Sequence, residues 1–281
     1  MKNGKTLAAF AAIYVIWGST YLAIRFAIET IPPFLMMGIR SILAGLVLYL
    51  WSAKTHPTLT RQEWKSLIII GVLFFVFGHG LLAWAQQRVA SGLAAVLVAS
   101  DPLWIALIES VVSRKFQLQK KQTAGLLIGF GGILLIFLPQ QSMSDDLDTI
   151  GVAMVLFCAI MWSIGAVYSR VTKLPRPAMA AGIELMIGGV FLLIVALLAG
   201  EFAGFSPQNV SLKSALSLMY LIVFGSIVTF TAYVWLLQIT PATRVATHTY
   251  VNPVIAVLLG WSIGGEEFTF ITLIACAIIV L

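Results

Sequence analysis

The sequence predicts an all-α integral membrane protein, ten transmembrane helices arranged as two inverted five-helix repeats around a central cavity. Three observations carry this reading. The 281 residues are 60% hydrophobic and only 10% charged, with mean hydropathy +1.01, whereas an ordinary soluble domain is roughly 25% charged. The apolar residues fall into runs of about 20, the length that crosses a bilayer as a helix. The two halves of the chain also repeat each other's landmark residues in one order. A soluble globular domain is excluded, because ten crossings use about 200 residues and leave only connectors.

Runs bounded by Pro, Gly or charged clusters place the spans near 7–24, 34–52, 67–87, 91–111, 122–138, 150–169, 178–199, 214–237, 242–263 and 268–281. The first follows Lys2 and Lys5 but is closed by no small-x-small cleavage site, so it reads as a retained span and not a signal peptide. The last is still apolar at Leu281, which suggests a further native tail. With a cytoplasmic N-terminus, Lys2, Lys5, Lys54, Arg61, Lys65, Arg114, Lys115, Lys120, Lys121, Arg170, Lys173, Arg176 and Arg244 fall inside, and only Arg25, Arg40, Arg88 and Lys213 remain for the other half. That is the asymmetry of the positive-inside rule. The expected location is therefore a bacterial cytoplasmic (inner) membrane, with Asp145, Asp146 and Asp148 in an outside loop. The same topology explains the net charge of +6 without nucleic acid, since no dense basic tract is present. Cys158 and Cys276 lie inside apolar runs and support neither a disulfide framework nor a metal motif. No cofactor and no metal are expected; the expected partners are a small-molecule substrate and the lipid bilayer.

The halves, 1–141 and 142–281, match at three places. WGSTYLAIR (17–25) corresponds to WSIGAVYSR (162–170), with Trp and Arg at the same separation. Pro33, the GIR of 38–40 and Gly45 correspond to Pro177, the GIE of 182–184 and Gly189. Trp84, Gln87 and Pro102 have the mutual spacing of Trp235, Gln238 and Pro253, so that Asp101 corresponds to Asn252. Five spans per repeat is an odd number. The second repeat then enters the membrane from the opposite side, a recurring carrier architecture with its site near the midplane between repeats.

At these residues the chain resembles the drug/metabolite transporter superfamily, specifically the EamA family of ten-span carriers with two five-span repeats. The likeness covers nearly the whole chain and rests on WGSTYLAIR, on IPPF (31–34) with GIR (38–40), and on AQQ (85–87) followed by SDP (100–102). The resemblance implies export of varied small metabolites, including amino acids and toxic organic cations. A secondary exporter working by alternating access between the repeats is the leading expectation. No G-x-x-x-x-G-K-[ST] loop is present to drive it with nucleotide. A pore or membrane scaffold is the alternative. An intramembrane enzyme is disfavoured, because the chain has no H-E-x-x-H, no G-x-S-x-G and only His56, His79 and His248.

Polar residues at membrane depth are costly and usually face a bundle interior or a cavity. Counted at 1.5 Å per residue, Trp17, His79, Asp101 and Trp162 should lie within roughly 5 Å of the midplane. Tyr14, Trp17 and Tyr21 give span one an aromatic face suited to an apolar or cationic group; plain core packing is the alternative for each. His79, between Gly78 and Gly80, shares one face with Ala83 and Gln86 and is expected to line the cavity, a histidine merely bonded to a neighbouring helix being the alternative. Asp101–Pro102 and Asn252–Pro253 set a polar group beside a helix interruption, where it binds substrate or caps a kink. Arg40 and Glu184 lie seven residues inside spans two and seven, towards opposite faces, so they are not expected to pair; Arg40 is a candidate anion site. Tyr250, with His248, Thr229, Thr231 and Tyr233, adds second-rank lining candidates in spans eight and nine. Spans five and ten, the former with Gly125, Gly129, Gly131 and Gly132, are expected to be peripheral, structural or dimerising. The substrate expectation is an amino acid (apolar or aromatic, Thr or Met) or a flat organic cation. A phosphorylated substrate is disfavoured, since Arg40 is the only basic residue well inside a span and a phosphate carries about −1.5 to −2 charge.

Overall fold

A computed structural model describes residues 2–52, 58–113 and 148–266, together with isolated positions between and after these stretches. All regular structure in them is helical. In chain order the helices are α1 (Lys2–Ala27), α2 (Pro33–Ser52), α3 (Arg61–Ala85), α4 (Ser91–Val98), α5 (Asp101–Ser113), α6 (Thr149–Val171), α7 (Pro177–Leu198), α8 (Leu212–Ile239) and α9 (His248–Ser262). Seven helices among the described residues are long and apolar enough to cross a membrane, α4 and α5 counting as one span and α9 not among them. The stretch expected as span nine is divided into a single turn, Ala242–Val245, and α9. Spans five and ten fall almost wholly outside the described residues, as do Asp145, Asp146 and Cys276.

The helix starts are written locally. Thr60 and Glu63 form a reciprocal capping box at α3, Ser211 accepts the Ser214 N–H at α8, and Pro177 stands in the first turn of α7, where its missing N–H costs nothing. At α6 the Asp148 carboxylate accepts the Gly151 N–H at 2.8 Å and the Arg88 guanidinium at 2.8 Å. The Gly151 backbone bond, then Arg88, holds this carboxyl below the usual carboxylate range. The cap is therefore at full strength above the unfolded-chain pKa and is lost only as pH falls through the depressed folded value.

α2 and α7 cross with their backbones nearly touching. A Cβ on Gly45 would stand 2.7 Å from the Gly182 carbonyl oxygen, and one on Gly189 would stand 3.1 Å from the Gly38 carbonyl oxygen. Small residues make this approach possible where no hydrophobic force draws helices together, since lipid tails are as apolar as Leu. At the end where α1 finishes, four polar contacts each join a residue before 141 to one after it. Arg25 pairs with Glu266, Lys213 bonds Glu29 at 2.6 Å, Arg88 bonds Asp148, and the Glu201 carboxylate accepts the Phe34 and Leu35 N–H groups at 3.2 and 2.7 Å. The Glu266 carboxylate also accepts Ser91 Oγ at 2.5 Å and the Gly92 N–H, closing the start of α4. At the opposite end no ion pair joins the described residues; Ser66 and Thr172 meet through their hydroxyls at 2.5 Å, and Arg170 donates to the Leu237 and Thr240 carbonyls.

Two departures from regular helix bear on the centre of the bundle. Val72–Gly80 of α3 and Leu221–Val228 of α8 are π-helical, a form that is rare and concentrated at functional sites. In α8 the Phe224 carbonyl takes both the Thr229 N–H and, at 2.7 Å, the Thr229 hydroxyl, which keeps the widened turn satisfied. The interruptions also differ between the halves. The regular helix is interrupted at Ala99–Ser100, placing Pro102 second in α5, whereas the other interruption falls at Ala246–Thr247 and leaves Pro253 inside α9. Asn252–Pro253 is thus not where span nine is interrupted, a correction to the sequence expectation. Pro102 sits where a helix needs no N–H; Pro253, the sixth residue of α9, removes an interior bond instead.

Candidate functional site

α1, α3, α4–α5, α6 and α9 enclose a central cavity of about 50 Å³. Its wall includes Trp17, Thr20 and Tyr21 of α1, His79 of α3, Asp101 of α5, Cys158 and Trp162 of α6, and His248 and Asn252 of α9. Ligand pockets run to about 300–1,000 Å³, so the cavity in this state has space for a few waters and must expand to admit an organic solute.

The aromatic part is one packed cluster. Trp17 lies 5.8 Å from Trp162 edge to face, 4.9 Å from Tyr233 and 5.0 Å from His248, and Trp162 lies 4.7 Å from His79 and 4.3 Å from Phe74. Both indole N–H groups are used: Trp17 donates to the Gly225 carbonyl at 3.1 Å, within the π-helical stretch of α8, and Trp162 donates to the Tyr233 hydroxyl at 2.9 Å. Gly78 leaves room for Trp162, since a Cβ there would stand 3.0 Å from the indole ring.

The polar part is less satisfied. Asp101 is 2% exposed; its backbone carbonyl accepts Ser163 Oγ at 3.3 Å, while its carboxylate Oδ1 is buried without a partner. His79 Nδ1 is likewise buried without a partner. His248 Nδ1 lies 2.9 Å from the Val245 carbonyl, so it carries the hydrogen and leaves Nε2 as the lone-pair nitrogen. The Asn252 amide, oriented to donate, reaches the Ile13, Tyr14 and His248 carbonyls at 2.9–3.3 Å and ties α1 to α9. No Lys or Arg is among the described lining residues. The cavity thus presents one carboxylate, two imidazoles and π-faces to whatever enters it.

The sequence profile of the EamA-like transporter family matches residues 4–138 and 149–281. The chain belongs to the EamA-like transporter family. Similar proteins include the uncharacterized inner membrane transporter YedA of Escherichia coli (strain K12), 35% identical over 274 residues, which are 97% of this chain and 87% of that protein. The uncharacterized transporter YoaV of Bacillus subtilis (strain 168) is 27% identical over 269 residues, 94% of this chain and 90% of that protein. A solved crystal structure shares the fold with a TM-score of 0.74 at 21% identity, over 99% of this chain and 95% of that one.

In this EamA-like chain Trp17, His79, Asp101, Trp162 and Asn252 meet at one cavity, and the other candidates lie elsewhere. Tyr14 is turned along α1 to bond Thr247 at 2.6 Å. Tyr250 lines a separate recess with Pro102, Ala106 and Arg244. Arg40, 2% exposed, bonds Ser226 Oγ at 2.8 Å and contacts the Met37 sulfur, behind the Trp17–Gly225 bond and off the cavity wall. Gln86 spends its amide on the Tyr21 carbonyl and does not join His79, because the π-helical stretch shifts the face that a regular helix would share. Cys158, read from sequence as packing, lines the cavity; it precedes Trp162 by one helical turn, and that spacing already placed it on the Trp162 face. Thr20 has a comparable signal in its place beside Trp17. Nothing in the sequence singled out Tyr233 as the residue that bonds the Trp162 indole.

Proposed function

We propose that this chain is a secondary carrier of the bacterial inner membrane which moves a small organic cation with an apolar or aromatic body. The observation that carries this reading is the Asp101 carboxylate, its Oδ1 unpartnered, in an aromatic box with no Lys or Arg among its described lining. A desolvated cation over an aromatic face gains about 2 kcal/mol, and the carboxylate supplies the counter-charge. A zwitterionic amino acid would bring a second carboxylate, and Arg40, the cation that would meet it, is bonded to Ser226. The inner-membrane assignment is supported by the name of YedA. Export from the cell is the direction the family resemblance implies.

Transport proceeds by alternating access between two inverted repeats, 1–141 and 142–281. Two features support this arrangement. The glycines matched between the halves are the ones at which α2 and α7 cross, Gly45 against Gly182 and Gly189 against Gly38, as a pseudo-two-fold contact requires. The π-helical stretches lie on spans three and eight, which the repeat also pairs. With the N-terminus cytoplasmic, the end bearing the Arg25–Glu266, Glu29–Lys213 and Arg88–Asp148 pairs faces outwards. Asn209→Cys, in the exposed segment before α8, should then react with a membrane-impermeant thiol reagent in intact cells; protection there, with labelling only after lysis, reverses the orientation.

Counterflow in proteoliposomes tests the substrate class. Phenyltrimethylammonium is expected to exchange saturably, phenylalanine weakly and glucose 6-phosphate not at all. Saturable movement of the phosphosugar alone overturns the reading, and conduction without saturation makes the protein a pore. Trp17→Ala and His79→Ala should each weaken half-saturation for the cation by roughly 2- to 30-fold, the range of one cation–π contact, with the yield of folded protein nearly unchanged. Parental kinetics in both variants would remove these side chains from the path.

A further inference from the structure

Glu184 lies on α7 seven residues beyond Pro177, about 10 Å along the helix at 1.5 Å per residue. It is 1% exposed, and neither carboxylate oxygen has a hydrogen-bond partner. It is not among the residues lining the cavity.

The titratable groups on the helices packed against α7 offer no counter-ion. From α2, Arg40 is engaged with Ser226 and Met37. From α3, His79 belongs to the cavity and Lys65 is exposed to solvent or headgroups. From α8, the Tyr233 hydroxyl is within electrostatic reach of Glu184 but already accepts the Trp162 indole. No ion pair among the described residues includes Glu184. An ionised carboxylate without a cation or a hydrogen bond is too costly to keep in a dry interior. A metal ion would ask for about six oxygen ligands, and no group of three acidic or other ligating side chains is found among the described residues. A proton is the one cation that a single carboxyl holds unaided.

We propose that Glu184 is a proton-carrying site, separate from the substrate cavity, whose loading and release tie proton movement to the transport cycle. In the state described here the carboxyl is protonated. Release breaks its O–H bond and passes the proton to water, and the bare carboxylate left behind demands water or a donor, which the closed interface does not provide. That interface is tight. A Cβ on Gly71 would stand 2.8 Å from the Glu184 carbonyl oxygen, and one on Gly188, a turn further along α7, would stand 2.3 Å from Phe75. Parting α7 from α3 at Gly71 would open the helix seam on which Glu184 sits, and Gly71 immediately precedes the π-helical stretch bearing Phe75 and His79, whose rings lie 5.6 Å apart. Ionisation at Glu184 is in this way mechanically connected to the cavity wall. The coupling rests on the carrier reading, but the proton site does not.

Two measurements separate these claims. Infrared difference spectra of the reconstituted protein read the carbonyl stretch of a protonated carboxylic acid, with the proton itself as probe. At neutral pH the parent should show a protonated-carboxyl component that Glu184→Gln removes and Asp101→Asn retains; a parent without that band, or a Glu184→Gln spectrum identical to the parent's, overturns the proton site. Vesicles with an acidic interior, their voltage clamped by potassium and valinomycin, should accumulate phenyltrimethylammonium through the parent. Glu184→Gln should lose this accumulation while keeping downhill flux, which also shows that the variant folds. Undiminished accumulation by Glu184→Gln overturns the coupling. If the band behaves as expected while the parent moves no cation, the proton site stands and the substrate reading falls.

Discussion

Asp101→Asn is expected to lower cation exchange by about 100- to 4,000-fold while leaving the protein at least as resistant to heat as the parent. The two effects have one cause. Oδ1 has no partner within the protein, so the carboxylate is a liability to the fold that a bound cation repays. Removing one member of a buried charge pair costs about 3–5 kcal/mol, and 1.4 kcal/mol is tenfold in affinity, which sets the expected loss. Asn keeps the shape and the start of α5 while deleting the charge. Exchange assays and thermal unfolding of the same purified samples check this, and a variant that loses exchange only because its melting temperature collapses would assign Asp101 to the fold. The opposite signs matter, since a binding group held ready without its ligand is the usual origin of a trade between stability and activity.

Gly45→Leu is expected to prevent assembly of the bundle. Its Cβ would meet the Gly182 carbonyl oxygen at 2.7 Å and the Met186 backbone nitrogen at 2.8 Å, neither of which can swing aside as a side-chain tip would. Overpacking commonly costs about 1–3 kcal/mol, and a backbone-to-backbone clash stands at or beyond the top of that range. Gly204→Leu is the matched control, because nothing lies within 4 Å of its Cβ direction. Detergent-solubilised yield and gel-filtration profile should separate the two cleanly. Equal, monodisperse yields would mean that α2 and α7 part more readily than their contact implies.

Depth along the chain was legible in the sequence, and direction around each helix was not. Trp17, His79, Asp101 and Trp162 were placed together by counting residues from span ends, which works because a helix rises uniformly through a slab of known thickness. Arg40 shows the limit. Its depth marked it as a candidate anion site, yet the guanidinium turns to Ser226 on α8, a choice made by a neighbour about 186 residues away. Tyr14 likewise shares a helical stripe with Trp17 and nevertheless bonds Thr247. The face shared by His79 and Gln86 failed for a different reason: the count assumed a regular helix, and no residue pattern in Val72–Gly80 announces the wider turn. Pro253 misled in a similar way, since a proline marks a place where a helix is free to break and not one where it must.

The wider turns of α3 and α8 hold more chain per unit of rise than the helix on either side of them. Such slack behaves like the thread of a screw. If one residue's worth is passed along α3 so that the turn tightens, everything beyond it revolves by about 100°, the angle of one residue in a regular helix. Arg61 to Ile70 would stay seated while His79 turned off the cavity wall. The backbone bonds exchange one after another during such a step, so no length of helix needs to melt inside the bilayer, where an unpaired amide is hardest to bear. On the carrier reading, the cavity wall would then be re-lined by rotation in place, with Arg61 to Ile70 still anchored.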